Sequence, residues 1–533
     1  MPHHPQKKKT LEWFVIIVII LTAFVFRFKD IVSIPPGLYP DEAMNGNNAL
    51  HAIQTGDYRV FYPDNNGREG LFMNIQAQSI RIFGNTPWAL RVVSAFFGLG
   101  TVIGLYFLTR RLFNWEIAAL ASFMMAISFW HVLFSRIGFR AIMAPFFLVW
   151  ALFFFWRGKM HGHIWDFVWS GALWGLGLYS YIAFRVMPLA LILTLIAYWF
   201  AVKKDFGHEK YRHVRMMLER GFAALLVAAI LVALPLGYYF WTHPADFLGR
   251  TSQLSVFASA HPIQDLATNT MRTLGMFNFT GDWNWRHNLA GEAQLFWPIG
   301  LFFLIGFIRS WYKLFKTRRT HGHFPTVQIS LLSWFFLALV PVIISNEGLP
   351  HALRALLVIP VVFIFAGEGL WWIYDFCKKW YGVRDMHEVE VHGWHAPEGK
   401  IVATCAIAIL LFALTISEYN KYFVRWANNP NTAAAYAQQY ADIAGYINTL
   451  PISVKKYVYV NADGVPVVPP GGQPGAPDGI SMPAQTVMYL TDTWTYDKQQ
   501  AKNIYYVTRG EYSRNPTKYN REKYFIPLEP ISN

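Results

Sequence analysis

Apolar residues in this chain come in blocks of roughly 18 to 22, the helix length that crosses about 30 Å of hydrocarbon. That pattern removes most folds from consideration. Inside lipid every backbone N–H and C=O must find a partner within the chain, and helices do this locally. The runs suggest spans near 12–28, 88–108, 117–135, 141–156, 166–182, 186–202, 221–241, 295–312, 327–345, 354–376 and 400–417. Of the 533 residues, 54% are hydrophobic and 17% aromatic, more than one soluble core would use. The expected fold is an all-α integral membrane protein of about 11 transmembrane helices. The first block, Trp13 to Phe26, follows a basic stretch, but no small-residue cleavage site comes after it and many further spans do. It reads as an anchor.

A net charge of +14 would ordinarily suggest nucleic acid. Its distribution argues for topology instead, and no nucleic-acid partner is expected. Lys7 to Lys9, Arg110 and Arg111, Arg157 and Lys159, Lys203 to Arg220, Arg309 to Arg319 and Lys378 to Arg384 all fall on one side of the expected spans. Positive loops mark the cytoplasmic face. The N-terminus is therefore expected in the cytoplasm of a multi-pass cell-membrane protein, with the C-terminal tail outside. The same cations suit contact with anionic membrane lipids. The two cysteines, Cys377 at a cytoplasmic span end and Cys405 inside a span, predict neither a disulfide nor a zinc site of cysteine type.

The predicted outer segments carry the polar chemistry. Loop 30–87 holds Asp41, Glu42, Asp57, Asp64 and Glu69, and loop 242–294 is rich in His, Trp, Asn and Gly, notably around Asp282, Trp283, Trp285, Arg286 and His287. The shorter connections hold Arg136 and Arg140, then Arg185, then Glu347, His351 and Arg354. Residues 1–417 read as the multi-span domain. From 418 to 533 the chain turns Tyr-rich and polar, with no span. Ala433, Tyr436, Tyr440, Ile443 and Ile447 recur at helical spacing, Tyr457–Val460 and Ile504–Thr508 read as strands, and 463–483 as a Pro/Gly-rich loop. A small external α/β domain is expected there.

Asp41 and Glu42 lie side by side shortly after the first span, close to the bilayer surface. Paired carboxylates there suit acid–base chemistry on a lipid-linked substrate. They equally suit the first turn of a helix beginning at Ala43. Arg136, Arg140 and Arg185 suit either a phosphate or the snorkelling of interfacial anchors. His351 and Arg354 open a span on the face where the positive-inside rule disfavours arginine, which favours a functional role.

The order of short motifs is more specific than any one of them. Tyr39-Pro40-Asp41-Glu42-Ala43 is followed by Gly56-Asp57-Tyr58, Gly67-Arg68-Glu69-Gly70-Leu71-Phe72, Phe83-Gly84 and Trp88-Ala89-Leu90-Arg91. Phe134-Ser135-Arg136, Gly177-Leu178-Tyr179-Ser180-Tyr181 and His351-Ala352-Leu353-Arg354 come later. Across roughly residues 10–420 this resembles GT-C fold membrane glycosyltransferases, in the branch of protein O-mannosyltransferases and lipid A aminoarabinose transferases. Arg68-Glu69-Gly70-Leu71 departs from the Glu-Lys-Pro-Pro or Lys-Pro-Pro-Leu of many relatives, so no lysine role is carried over.

The resemblance implies a polyprenyl-phosphate-sugar donor and an acceptor protein, lipid or glycan on the outer face. The chemistry needs a base for the acceptor's proton and cations for the departing phosphate. Asp41, Glu42 and Glu69 are the expected catalytic acids, with Asp41 as base of an inverting single displacement. Arg136, Arg140, Arg185, His351 and Arg354 are the expected donor-phosphate ligands. Tyr39, Asp57, Arg68, Tyr181, Asp282, Trp283 and His287 are expected around the sugar or acceptor. No cofactor is required, though Asp41, Glu42 and Glu69 could hold a divalent metal ion. The competing readings are a transporter or lipid flippase, which needs ionisable groups deep in spans, and a non-catalytic scaffold or binding protein using the tail.

Overall fold

The structure is a computed structural model. It describes residues 5–205, 212–247, 255–320, 325–388, 397–469 and 479–531. Every predicted span is helical. The chain opens with α1 (Pro5–Phe28) and runs through the outer segment α2 (Pro40–Thr55), the hairpin β1 (Phe61–Tyr62) and β2 (Arg68–Glu69), and α3 (Leu71–Phe83). Then follow α4 (Pro87–Leu112), α5 (Trp115–Ile127), the short α6 (Phe129–Phe134), α7 (Met143–His161), α8 (Ile164–Gly177), α9 (Met187–Asp205) and α10 (Arg212–Thr242). Beyond α11 (Pro262–Gly275) come α12 (Trp297–Thr320), α13 (Thr326–Ile343), α14 (Ile359–Glu388) and α15 (Pro397–Tyr419).

Among the described residues, nine helices are long and apolar enough to cross a membrane. The expected number was about 11. The difference lies in α5 and α8, which have 13 and 14 residues. At 1.5 Å per residue each falls short of the hydrocarbon thickness on its own. Ser128 interrupts the predicted span 117–135 and turns the chain from α5 into α6. The last span also differs in length. It was expected to stop at 417, but α15 continues into a π-helical turn, Asn420–Trp426, so the apolar helix runs through Trp426.

Small residues let the spans approach closely, as lipid-embedded helices require. A Cβ on Gly306 of α12 would collide with the Phe365 carbonyl of α14, and one on Gly369 of α14 with the Phe302 carbonyl of α12. The bundle core gathers Trp130, Trp334 and Phe363, all at most 1% exposed. Arg27, also fully buried, donates to the Ala23 and Ala126 carbonyls at 3.0 and 2.9 Å and meets His131 Nδ1 at 2.6 Å.

The tail is an α/β unit; two strands fall where the sequence places them, and a third, Phe525–Pro527, was not expected. β3 (Lys456–Val460) lies at the centre of a parallel three-stranded sheet, between Ile504–Thr508 and Phe525–Pro527. The helical stretch 433–447 is two helices, Pro430–Ala435 and Gln438–Thr449, broken at Ala437 with φ 53°. Gly37 of the first loop backs onto that break, where any side chain would strike the Tyr436 carbonyl. The tail helix Ala484–Leu490 packs on α2. Asn47 Nδ2 donates to Gln485 Oε1 at 2.8 Å, and Thr486 Oγ1 to the Leu38 carbonyl at 2.8 Å. Of the Pro/Gly-rich loop 463–483, residues 470–478 lie outside the described residues. The flanks pair as short antiparallel strands, Pro466–Val467 with Ile480–Ser481.

Candidate active site

Pro40 starts α2 with φ preset for a helix, and Asp41 and Glu42 fill its first turn, where the dipole favours acids. The two neighbours then part company. Glu42 is fully buried. It pairs with Arg91 at 3.1 Å and accepts from the Gly138 amide at 2.7 Å. Arg91 spends its remaining donors on the Pro35 and Gly37 carbonyls at 2.6 and 2.7 Å. Glu42 is thus a tie between α2, α4 and the 135–139 connection, closed off from any substrate. Asn45, one turn on, adds to the tie by donating to the Gly138 carbonyl at 3.0 Å and accepting from Arg68 Nη1 at 2.6 Å. Arg68, buried in the hairpin, is therefore part of this framework.

Asp41 points the other way. Its Oδ1 accepts from Asn65 Nδ2 at 2.5 Å, and the carboxylate remains partly accessible. Asn65 sits in the hairpin turn, where Asn65, Asn66 and Gly67 all have positive φ. Asparagine and glycine tolerate that region. The same hairpin ends on Glu69, across from Phe61. Glu69 is 2% exposed, with Arg140 Nε at 2.9 Å and Arg185 Nη2 at 3.5 Å. Burial alone would raise its carboxyl, but Arg140 and Arg185 overcome this and hold it below its ordinary value. Arg140 lies over the Tyr181 ring at 5.8 Å, and Arg185 over Phe240 and Phe247 at 5.0 and 4.6 Å. One carboxylate facing two guanidiniums leaves a net positive charge, an arrangement that can take an anion.

The second outer loop meets the first through Arg286, whose guanidinium covers the Tyr39 ring at 4.1 Å. Burial, and then the Asp41 charge, hold the Tyr39 phenol above its ordinary value against the pull of Arg286. Phe139, between Gly138 and Arg140, packs its ring 6.1 Å from Tyr39. Tyr39, Asp41, Arg286, Phe139 and Arg140 therefore belong to one neighbourhood.

Other expected residues are placed elsewhere. Arg136 is fully buried, donates to the Phe26 and Ile34 carbonyls at 3.1 and 3.0 Å, and packs on Tyr422 and Phe423. It supports the loop and does not join Arg140. Arg354 pairs with Glu347 at 2.9 Å and donates to Ser345 Oγ, so it is turned to the 345–347 turn. Asp57 is exposed and paired with Arg59 at 2.7 Å. Trp283, 66% exposed, lines a cavity of about 580 Å³ with Met271, Arg272, Phe279 and Leu349. Asp282 Oδ2 accepts from Ala352 N at 2.8 Å and lies 3.1 Å from His287 Nδ1 and 4.0 Å from His351 Nδ1. Burial holds the His287 imidazole below its ordinary value, against the opposing charge of Asp282.

The metal expectation needs correcting in its residues. Glu42 and Glu69 are engaged by arginines, which repel a cation, and Asp41, Glu42 and Glu69 do not form a ligand group. Among the described residues, the group with ligand atoms close enough for one ion is Asp282, His287 and His351, all within 4.8 Å of one another. Sequence reading also missed Asn65 and Asn45. Their only trace was the Asn-Asn-Gly turn signal at 65–67 and the polar Asn residues of α2.

Residues 71–218 match the family described as dolichyl-phosphate-mannose-protein mannosyltransferase. No curated protein sequence matches the chain. The oligosaccharyltransferase of Archaeoglobus fulgidus in its apo form superposes with a TM-score of 0.52 at 16% identity, over 92% of this chain and 64% of that one. The chain thus spans less than two thirds of that protein's length. The same organism's oligosaccharyltransferase AglB, in complex with an inhibitory peptide and a dolichol-phosphate, gives 0.54 at 14% identity, over 95% and 70%. ArnT from Cupriavidus metallidurans bound to undecaprenyl phosphate gives 0.50 at 14%, over 98% and 90%. Residues 71–218 carry the family match, and the chain as a whole has the GT-C fold of membrane glycosyltransferases.

Proposed function

We propose that this multi-pass membrane protein transfers a sugar from a polyprenyl-phosphate carrier to a protein, lipid or glycan acceptor on the outer face of the membrane. The observation that carries the reading is the cluster of Arg140 and Arg185 on buried Glu69, held by the same hairpin whose turn engages Asp41. In a single displacement the acceptor atom bonds to the anomeric carbon as the bond from that carbon to the phosphate oxygen breaks. Asp41 takes the acceptor's proton. Arg140 and Arg185 take up the charge of the released lipid phosphate, and the configuration inverts. Two proteins of the same fold hold lipid phosphates, dolichol-phosphate in one and undecaprenyl phosphate in the other, which supports a carrier of that class. The N-terminus lies in the cytoplasm in this reading, and the tail stands outside over α2.

The test is single-turnover transfer by full-length protein in nanodiscs, using the sugar-charged lipid identified by mass spectrometry of the purified protein. Asp41→Asn should lower the rate by at least about 10², with donor binding retained. Near-wild-type turnover by a folded Asp41→Asn protein removes the base assignment. Vesicle flux of the sugar-lipid without transfer would favour a flippase instead.

A further inference from the structure

Glu368 lies within the apolar stretch Leu356–Lys378 of α14 and is buried. An ionisable group inside a span calls for partners. Lys313 Nζ of α12 stands 2.5 Å from its Oε1, and Arg309 Nε 3.9 Å from the same oxygen. The close approach of α12 and α14 at Gly306 and Gly369 brings the three together. They are far from the transfer chemistry. α12 begins beside the second outer loop, and Lys313 is about 24 Å along it from Trp297 at 1.5 Å per residue. Lys313 also lies 5.4 Å over the ring of Phe113, which ends α4, whereas the first turns of α4 hold Arg91 beside Glu42. The cluster is therefore at the membrane face opposite the candidate active site.

Donors there outnumber acceptors. A guanidinium carries five N–H donors and an ammonium three. Both cations turn to one carboxylate oxygen, and Arg309 Nε is buried with no hydrogen-bond partner, as is Glu368 Oε2. A buried donor left that way is uncommon and costly. Asp375 also lies within electrostatic reach of Arg309, and Lys316 follows Lys313 on α12, so three cations face two carboxylates.

The surplus opens sideways. The Arg309 and Lys313 side chains are 28% and 33% exposed. Around them Ile308, Tyr312 and Phe315 of α12 and Trp372 and Phe376 of α14 are exposed too, and Arg309 lies 5.1 Å over the Trp372 ring. An exposed apolar face on two spanning helices meets lipid, and aromatic rings at a span end mark the headgroup level.

We propose that Arg309 and Lys313, walled by Trp372, bind the phosphodiester headgroup of an anionic membrane lipid on the face opposite the candidate active site. Basic pockets between spans take such headgroups. The guanidinium offers two parallel N–H groups to the phosphate oxygens, and Lys313 adds a point charge while keeping Glu368. The bound lipid neutralises the surplus charge and braces α12 against α14.

The experiment uses full-length protein in nanodiscs of phosphatidylcholine, with or without phosphatidylglycerol, and needs no sugar transfer. Phosphatidylglycerol should raise the unfolding temperature. Native mass spectrometry of the wild-type chain should retain phosphatidylglycerol in preference to phosphatidylcholine. Arg309→Gln leaves the Lys313–Glu368 pair intact and should fold, with lipid retention weakened roughly tenfold, as for lost hydrogen bonds to a charged group. Arg111→Gln, a cation of the same face outside the cluster, should keep both effects. Inorganic phosphate should not replace the lipid. Equal behaviour of wild type in the two lipids overturns the proposal. So does a phosphatidylglycerol effect that Arg309→Gln leaves unchanged, or one that inorganic phosphate reproduces, which would make the ligand a free anion.

Discussion

Two buried arginine–carboxylate clusters stand a short distance apart along the chain, and they are built for opposite ends. At Glu42 one carboxylate meets one guanidinium, and backbone groups take every remaining hydrogen bond: Gly138 N on the acid, the Pro35 and Gly37 carbonyls on Arg91. Charge is balanced and nothing is offered outward. At Glu69 one carboxylate meets two guanidiniums, and aromatic rings flank Arg140 and Arg185. Charge there is unbalanced towards positive. The first arrangement fixes a loop, and the second can receive an anion. The difference teaches that a buried ion pair is read by the stoichiometry of its charges and by what satisfies the rest of each group.

The largest effect should come from breaking the balanced cluster. Arg91→Ala strands Glu42 in the interior, a change that costs roughly 3–5 kcal/mol. The full-length protein should then be recovered in low yield, with a lowered unfolding midpoint and transfer lost through folding. A well-folded, stable Arg91→Ala protein would show that the tie is dispensable and blunt the contrast.

Next in size is the unbalanced cluster. Arg185→Ala should leave the protein folded while lowering kcat/KM for the lipid donor by about tenfold or more, the pattern of a lost donor contact. Arg136→Ala should instead lower stability, because that guanidinium serves the Phe26 and Ile34 carbonyls. If Arg185→Ala behaves like Arg136→Ala in both assays, the two clusters do not differ in kind.

A smaller effect distinguishes them by pH. Arg140 and Arg185 hold the Glu69 carboxyl below its ordinary value despite burial, so the unfolded chain binds its proton first. The stability it contributes is present above about pH 4.5 and is lost as the pH falls through the depressed folded value. Thermal unfolding followed from pH 6 to pH 3 should fall more steeply for wild type than for Glu69→Gln. Equal slopes would mean that the two arginines do not act on Glu69.

The smallest effect is at Arg354, whose partner Glu347 is largely exposed. Glu347→Gln should change stability by less than about 1 kcal/mol, as exposed pairs do. A larger loss in a thermal melt would mean that Arg354 depends on that pair.

Most of the fold was legible because lipid imposes one rule on every span, so hydrophobic run length carries nearly all the information. Two strands of the tail sheet, Tyr457–Val460 and Ile504–Thr508, were legible for a similar reason, since bulky β-branched and aromatic residues mark them locally, whereas the third, Phe525–Pro527, is too short and proline-ended to stand out. Ser128 sits in an apolar stretch and does not announce the break between α5 and α6. The site was legible only in part. Asp41 and Glu42 look alike in sequence, and Arg136 and Arg140 are four residues apart. Which member faces the hairpin and which faces backbone carbonyls depends on contacts far along the chain. Among the described residues, four candidate spans lie between Tyr39 and Arg286, and local pattern carries no trace of their meeting.

The docking of helix Ala484–Leu490 on α2 ties the order of synthesis to the order of assembly. Asn47 and Gln485 are 438 positions apart, and Leu38 and Thr486 are 448. The first loop is translated long before Ala484–Leu490, and its buried polar face stays incomplete until that helix has been made. Assembly in such a molecule must close from its two ends, and contacts of this span form late. A chain without Ala484–Leu490 would leave Asn47 and the Leu38 carbonyl without these partners, and the face of α2 that they close uncovered.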